Sequence, residues 1–214
     1  MRTALSARIR GRILLRLAAC TLAGSLMASC SKDTPPPNLY LLTAEQQPQA
    51  GERSTADLPK ILVAQAQVPD YLDRPQLVER NGENGLKLIE GDQWAERLSM
   101  NVARVVAQNL SAMVPADATI PIAARGSLTY KCQVVISLNS FDLNSTGGEA
   151  LLIGRWSITD AEGSNEFGSA TVSLRKTSTS PGMPGAVEAM SRALGDVSRE
   201  IATRLKQLKS QCTL

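Results

Sequence analysis

The chain of 214 residues contains no histidine, and aromatic residues make up only 3% of it. Without histidine it lacks the most common general base of enzymes and a very common metal ligand. It also contains no G-x-S-x-G nucleophile motif, no phosphate-binding glycine loop and no C-x-x-C pair. Several carboxylates could in principle pair for acid–base chemistry, but loop charges or helix caps are the simpler interpretation: Asp70, Asp73, Glu90 and Asp92. We therefore expect no enzyme activity, no catalytic residue, no cofactor and no metal site.

The chain also lacks an apolar run of the roughly 20 residues that a membrane-spanning helix requires. Residues 1–16 instead carry five arginines and no acid, and the uncharged run 17–28 that follows is short. A basic start, a short apolar stretch and small residues before a cleavage point are typical of an export signal. The last of these residues, Met-Ala-Ser, precede Cys30 and resemble the lipobox of bacterial lipoproteins, in which the cysteine is acylated and becomes the new N-terminus.

Cys20 is a competing acylation site, because Leu-Ala-Ala-Cys matches the lipobox more closely. Cleavage there would leave only residues 13–19 as the apolar segment, and Arg16 would interrupt it with a charge. We therefore predict a lipoprotein signal peptide at 1–29 and lipidation of Cys30 by fatty acyl chains such as palmitate. An ordinary signal peptide followed by a chance cysteine is the remaining alternative.

Acylation would hold the protein at a membrane, because two or more acyl chains anchor stably at about 0.8 kcal/mol per buried methylene. Ser31 stands where an aspartate would favour the inner membrane in enteric-type sorting, so we expect the outer membrane, with the domain facing the periplasm. Loss of the five signal arginines leaves 18 basic residues against 20 acidic ones, so a basic footprint for nucleic acid is missing. Residues 30–38, with three prolines, predict a tether that holds the domain roughly 20 Å from the lipid.

Two cysteines, Cys132 and Cys212, remain in the exported domain. In an oxidising periplasm such a pair favours a disulfide. The bridge would close a loop of about 80 residues, which the chain-entropy model values at roughly 4 kcal/mol. Two free thiols, one of them simply buried, are the alternative.

The remaining chain, 39–214, is long enough for a single domain. Alternating and short apolar runs predict seven strands: 39–42, 60–68, 76–80, 86–90, 128–140, 149–159 and 166–175. Apolar residues at three- and four-residue spacing predict helices at 94–113 and 186–209. The pattern indicates an α+β fold, with a mostly antiparallel sheet and two amphipathic helices packed on one face.

Single residues refine the first helix and the loop before the second strand. Trp94 begins the apolar stripe of the first helix, so we assign its side chain to the core. Asp92 is the expected N-cap, and Pro115 is expected to stop the helix. The polar stretch 45–59 is expected to be a mobile loop.

One loop, between the second and third predicted strands, suggests a contact surface. It places Tyr and Leu between two prolines, whose fixed φ angles reduce the freedom of the loop and suit a preformed surface. The candidate partner-binding residues are Pro69, Asp70, Tyr71, Leu72, Arg74 and Pro75. The alternative is a rigid crossover in which Tyr71 and Leu72 are simply packed beneath the loop.

The order of several short segments resembles the PqiC/YmbA auxiliary lipoproteins, which accompany MCE-type, ABC-linked transport systems. The segments are Leu-Tyr-Leu-Leu at 39–42, Ile-Leu-Val at 61–63, Val-Pro-Asp-Tyr-Leu at 68–72, Arg-Pro-Gln-Leu-Val at 74–78 and Trp-Ala-Glu-Arg-Leu at 94–98. A later strand with Phe141 and Asp142, the strand with Trp156 and the C-terminal amphipathic helix extend the similarity over nearly all of the exported chain.

The resemblance implies a non-enzymatic part of an envelope machine that moves phospholipid and supports membrane integrity. It further implies an MCE-domain protein as partner, docking of the transport conduit at the outer membrane, and a possible homo-oligomer. A lipoprotein that assembles outer-membrane barrel proteins or lipopolysaccharide would share the anchor and the fold, and is the competing interpretation. A lipid-anchored hydrolase is a third, which the absence of histidine disfavours.

Overall fold

A computed structural model of the protein describes residues 35–45, 60–114, 117–119 and 129–212. Eight strands are described: β1 Asn38–Tyr40, β2 Lys60–Val63, β3 Gln76–Asn81, β4 Gly85–Trp94, β5 Asp117–Thr119, β6 Cys132–Asn144, β7 Glu149–Asp160 and β8 Glu166–Thr177. The helices are α1 Leu98–Met113, α2 Gly182–Gln207 and the short α3 Lys209–Cys212. The predicted signal peptide with Cys20, the predicted lipidation site Cys30, Pro115 and residues 46–59 of the predicted loop lie outside the described residues. No helix in the described part of the chain could span a membrane.

Strand β6 organises the sheet, because both of its edges are paired. One edge runs antiparallel to β7 from Cys132 to Asn144, and β7 in turn pairs antiparallel with β8, so that β6, β7 and β8 form a meander. The other edge is shared between β2 near the start of β6 and β3 near its end, both parallel to it. Beyond these lie β5, next to β2, and the pair β4 and β1, next to β3. The long pairs are antiparallel, so the predicted α+β class with a mostly antiparallel sheet is confirmed; the short parallel pairs were not predicted.

A bulge in β6 changes which residues face the core. Cys132, Val134, Ile136 and Leu138 are buried in alternation, as expected, but the register against β7 shifts between Leu138 and Ser140. After the shift the odd-numbered Phe141 and Leu143 are buried. Gly154 lies opposite this bulge, where a Cβ atom would come within 2.5 Å of the carbonyl oxygen of Ser137. A glycine is therefore required by close approach of the two backbones.

The two long helices lie on one face of the sheet, as the sequence predicts. The predicted apolar stripe of α2 is buried along its length: Val187, Met190, Leu194, Val197, Ile201, Leu205 and Leu208. Helix α2 contacts β6, β7 and β8, whereas α1 contacts α2, β2 and β5. A hydrophobic stripe on each helix thus meets the apolar face of the sheet and forms one core.

The start of α1 differs from the prediction. Trp94 ends β4 instead of beginning the helix, although its side chain is buried in the core as expected. Asp92 also lies in β4, where it accepts a hydrogen bond from Asn38 Nδ2 at 2.8 Å, so it is not the N-cap. The residue at the N-cap position is Arg97, whose side chain makes no capping bond. Pairing of β4 with β3 and β1 therefore prevails over the helical spacing that Trp94 would have begun.

Strand β2 and helix α2 also have different limits from those predicted. Regular pairing of β2 ends at Val63, although the N–H of Ala64 and that of Gln67 still donate to carbonyls of β6. Helix α2 begins at Gly182, four residues before the predicted start at Ala186. Such shifts arise because loops at element ends share hydrogen bonds with neighbouring strands, which sequence periodicity does not reveal.

Cys132 and Cys212 form a disulfide, with their Cα atoms 5.1 Å apart. The bridge joins the first residue of β6 to α3, and both cysteines are buried. It therefore fastens the C-terminal end of the helical layer to the central strand of the sheet.

Candidate partner-binding loop and the segment that follows the tether

The loop at 68–75 is held in one conformation by its own backbone. The carbonyl oxygen of Pro69 accepts hydrogen bonds from the N–H of Leu72 at 2.8 Å and from that of Asp73 at 3.3 Å. At the other end, the carbonyl oxygen of Pro75 accepts a bond of 2.7 Å from the N–H of Trp94. The loop is therefore a fixed turn between β2 and β3, as the two prolines predict.

The side chains of this loop divide into an inner and an outer set. Leu72 is only 4% exposed and belongs to the hydrophobic core, so its assignment to an exposed contact surface is wrong. Full burial of a leucine contributes about 1.5–3 kcal/mol, which explains its inward position. Tyr71, Pro69 and Arg74 are half-buried, and only Asp70 and Pro75 are exposed. The surface that the loop offers is thus more polar than the sequence suggests.

Tyr71 lies against a polar cluster on the face of the sheet opposite the helices. Asp142 of β6, which is buried, accepts bonds from Arg80 Nε at 2.7 Å and from the hydroxyl of Ser140 at 2.6 Å. Burial and the negative charge of Asp142 raise the pKa of Tyr71, whereas the positive charge of Arg80 and the polar groups of Ser140 and Arg80 oppose this rise. The raised pKa keeps the tyrosine neutral, and its half-buried ring packs against the core at the edge of this cluster.

Asp73 supplies the cap that the prediction assigned to Asp92. Its carboxylate accepts bonds from the N–H of Ser99 at 3.0 Å and from the hydroxyl of Ser99 at 3.1 Å, and it lies 3.7 Å from Arg97 Nε. An acidic group at the first turn of a helix satisfies a free N–H and interacts favourably with the helix dipole. Asp73 and Asp92 are thus both engaged in structural bonds. Within the described ranges no three acidic or cysteine side chains gather as a metal site.

A second feature, which sequence reasoning missed, is the segment Leu41–Glu45, here called the strap. It follows β1 and crosses onto the helices. Leu42 is fully buried, and its carbonyl oxygen accepts a bond from Arg104 Nη2 at 3.2 Å. The N–H of Thr43 donates to Ser191 Oγ at 3.1 Å, and that of Glu45 donates to Asn109 Oδ1 at 3.0 Å. The strap therefore bonds to both long helices.

The carboxylate of Glu45 extends this attachment through a row of charges. Glu45 pairs with Arg199, Arg199 pairs with Asp196, and Asp196 pairs with Lys176 of β8. Burial would raise the pKa of Asp196, but its bonds to Lys176 and Arg199 outweigh this effect and lower it. Gly195 leaves the space for Glu45, since a Cβ atom there would lie 2.2 Å from the carboxylate oxygen. Glu45 is thus fixed on α2 and does not begin a mobile loop.

The only sequence signal of the strap is the presence of polar residues on the inner faces of the helices. Asn109, Ser191 and Ser198 are buried although they stand among apolar residues. Asn109 Nδ2 donates to Ser198 Oγ at 3.3 Å, which links the two helices beneath the strap. A buried polar side chain requires a partner, and a nearby extended backbone is one way to provide it.

Comparisons with known proteins agree with this architecture. A solved structure of an uncharacterized protein covers 80% of this chain and 99% of its own at 18% identity, with a TM-score of 0.62. A protein from Xanthomonas campestris, of a family of unknown function, covers 81% of this chain and 99% of its own at 19% identity, with a TM-score of 0.61. Both likenesses concern the fold alone. Among functionally curated proteins, none matches the chain.

The family comparison reaches further, because it matches most of the chain. A model of the ABC-type transport auxiliary lipoprotein component matches residues 40–202. The match runs from the end of β1 into the C-terminal half of α2, and so includes the strap, the loop at 68–75 and the whole meander. The chain belongs to the ABC-type transport auxiliary lipoprotein family, whose members are lipoprotein components of transport systems.

Proposed function

We propose that the protein is the lipid-anchored component of an MCE-linked, ABC-type phospholipid transport system, and that it docks the transport conduit at the outer membrane. The family match over residues 40–202 carries this proposal. The MCE partner, the phospholipid cargo and the outer membrane come from the similarity to the PqiC/YmbA lipoproteins. Acylation of Cys30, behind a lipobox and without aspartate at position 31, supplies the anchor.

The loop at 68–75 supports the docking part of the proposal. A docking surface binds more tightly when its conformation is fixed beforehand, because less entropy is lost on association. Here the turn at Pro69, the bond that the Pro75 carbonyl oxygen accepts from Trp94 and the packing of Tyr71 against the core fix the loop. A partner can reach the exposed Asp70 and Pro75 and the half-buried Arg74.

Crosslinking in cells tests the partner. A photoreactive amino acid at Asp70 or Pro75 should capture the MCE-domain protein, identified by mass. The same amino acid at Thr171, which is exposed on β8, is the control and should not capture it. Capture of barrel proteins or of lipopolysaccharide assembly factors at 70 and 75 would contradict the proposal and favour the competing interpretation.

Fractionation tests the anchor separately. The wild-type protein should remain with outer membranes, whereas a Cys30→Ser variant should lose its acyl chains and the membrane association that they give. If this variant were processed normally and distributed as the wild type does, lipidation of Cys30 would be disproved. Sensitivity of a deletion strain to detergents, restored by the wild type and not by Cys30→Ser, would connect the anchor to membrane integrity.

A further inference from the structure

Four leucines stand out on the surface of the described residues. Leu39 is 63% exposed, Leu86 is 46% exposed, and Leu41 and Leu88 are each 45% exposed. They are the exposed large apolar side chains in the part of the chain that the structure describes. Single exposed leucines are ordinary, but an exposed apolar group confined to one region marks an interaction site. All four lie on β1, just after it, or on its neighbour β4.

The strand register places three of these leucines on one face of the sheet. Leu88 is opposite Val78 on β3, and Leu86 is opposite Arg80. Gln93 is opposite Gln76, two residues before Val78, and it is also the partner of Leu39. The register between β3 and β4 shifts between Gln76 and Val78, so alternation is not carried across that step. Leu39 precedes Tyr40, whose partner Trp94 is buried in the core, so Leu39 points away from the helices. Leu86 is opposite Arg80, which bonds to Asp142 between the core residues Phe141 and Leu143, so Leu86 and Leu88 share the face opposite the helices with Leu39. We call Leu39, Leu41, Leu86 and Leu88 the leucine corner.

Two members of the leucine corner, Leu39 and Leu41, are also close in sequence to the anchor. Leu39 follows Cys30 by nine residues, and a fully extended chain of that length spans at most about 30 Å. A domain of this size has a radius of gyration of about 16 Å and is therefore roughly 40 Å across. The tether cannot reach the far side of the domain, so the edge formed by β1 is held towards the lipid.

We propose that the leucine corner is a membrane-contact surface, which inserts among the lipid headgroups of the leaflet that holds the acyl chains. This inference rests on the anchor in the proposed function and adds a second, non-covalent contact to it. It also revises the role of the tether. The tether sets only the largest distance between the domain and the lipid, and the leucine corner brings the domain closer than that.

The charges around the corner indicate what kind of lipid surface fits. Arg80, opposite Leu86, is ion-paired with Asp142, and Asp92 accepts a bond from Asn38. The hairpin itself carries Glu83, Lys87 and Glu90, all exposed. Because no basic cluster is present on this hairpin, the contact depends on apolar insertion and requires no anionic lipid.

Depth-dependent quenching of tryptophan fluorescence tests the inference. The acylated, mature full-length protein carrying Leu88→Trp is reconstituted in vesicles of phosphatidylethanolamine and phosphatidylglycerol. Part of this lipid carries bromine, the quencher, on acyl-chain carbons close to the headgroup. The parent protein has two tryptophans of its own, Trp94 and Trp156, both buried in the core. Their emission, measured on the parent protein, is subtracted. We expect the added tryptophan to shift to shorter wavelength on reconstitution and to lose most of its emission to bromine.

Thr171→Trp is the matched control. Thr171 is exposed on β8 and shares the outer face, but it lies four strand spacings, or roughly 19 Å, from β4. Its emission should remain at long wavelength and unquenched. Equal quenching at both positions, or none at Leu88→Trp in protein that floats with the vesicles, would overturn the inference and leave the anchor intact.

Two further outcomes are also decisive. A blue shift that grows with the ratio of protein to lipid, without bromine quenching, would assign the corner to a second copy of the chain and overturn the membrane contact. Protein that fails to float with the vesicles would disprove the anchor, and with it both the proposed location and this inference.

Discussion

Arg80→Met should destabilise the protein because it leaves the Asp142 carboxylate buried without its cation. Arg80 donates to Asp142 through Nε at 2.7 Å and Nη2 at 3.3 Å, and the Asp142 side chain is only 11% exposed. Breaking a fully buried pair costs about 3–5 kcal/mol. The Arg80 side chain is 38% exposed, and the hydroxyl of Ser140 still donates to Asp142, so solvent and that bond reduce the cost. We expect a loss of about 2 kcal/mol in the free energy of unfolding.

Urea unfolding measures this loss directly. For a domain of this size an m-value of about 2 kcal/mol per molar urea is reasonable, so the midpoint should fall by about 1 M at unchanged m. The double variant Arg80→Met with Asp142→Asn should regain part of the loss, because the uncompensated charge is then absent. Arg155→Met is the matched control: it breaks the exposed pair with Glu166 on the neighbouring strands and should change the midpoint little.

The reasoning would be refuted by a midpoint for Arg80→Met that matches that of Arg155→Met. It would also be refuted if the double variant were no more stable than Arg80→Met alone, because the cost would then come from lost packing and not from a lone charge. A double-mutant cycle over the same variants separates these two contributions.

Three other predictions follow from the described contacts. Cys212→Ser should lower the free energy of unfolding by roughly 4 kcal/mol, since the disulfide spans 80 residues; a urea midpoint equal to that of the oxidised wild type would contradict this. Gly154→Ala should cost about 1–3 kcal/mol, because its Cβ would lie 2.5 Å from the Ser137 carbonyl oxygen, and a thermal midpoint unchanged from the wild type would disprove the close approach. Burial raises the pKa of Tyr71 and of Tyr40, so both favour folding in their neutral form; this contribution is complete below the unfolded pKa of about 10 and is lost as pH rises through the higher folded pKa. Tyr71→Phe should therefore weaken the fall in stability above that pH, and an unaltered alkaline slope in urea titrations would count against it.

The sequence predicts the parts of the fold whose apolar pattern is regular. The alternation from Cys132 to Leu138 and the stripe of α2 identify a half-buried strand and its covering helix, because both sets of side chains are buried as expected. The bulge at Ser140 could not be predicted in the same way. It adds a residue to one strand only, and its position depends on the register against β7.

The site was harder to predict, because its residues act across long sequence separations. Asp73 caps a helix that begins 25 residues later, and Glu45 bonds to Arg199 on the last long helix. Trp94 illustrates the same limit. Its apolar side chain fits both a helix stripe and a strand end, and its pairing with Tyr40, together with the bond from its N–H to Pro75, decides between them. Local patterns predict which side chains are buried, but they do not predict which distant part of the backbone those side chains contact.

The positions of the loop and of the tether are coupled through β4. The N–H of Trp94 donates to the carbonyl oxygen of Pro75, and the N–H of the next residue, Ala95, donates to that of Tyr40 in β1 at 2.9 Å. The end of the candidate docking loop and the strand that continues from the tether therefore meet at adjacent peptide groups. The strap then fastens this same chain segment to α1 and α2, so the loop and β1 belong to one rigid unit. If β1 is held against the lipid, the direction in which Asp70 and Pro75 face a partner is therefore fixed as well, because the loop cannot turn independently of β1.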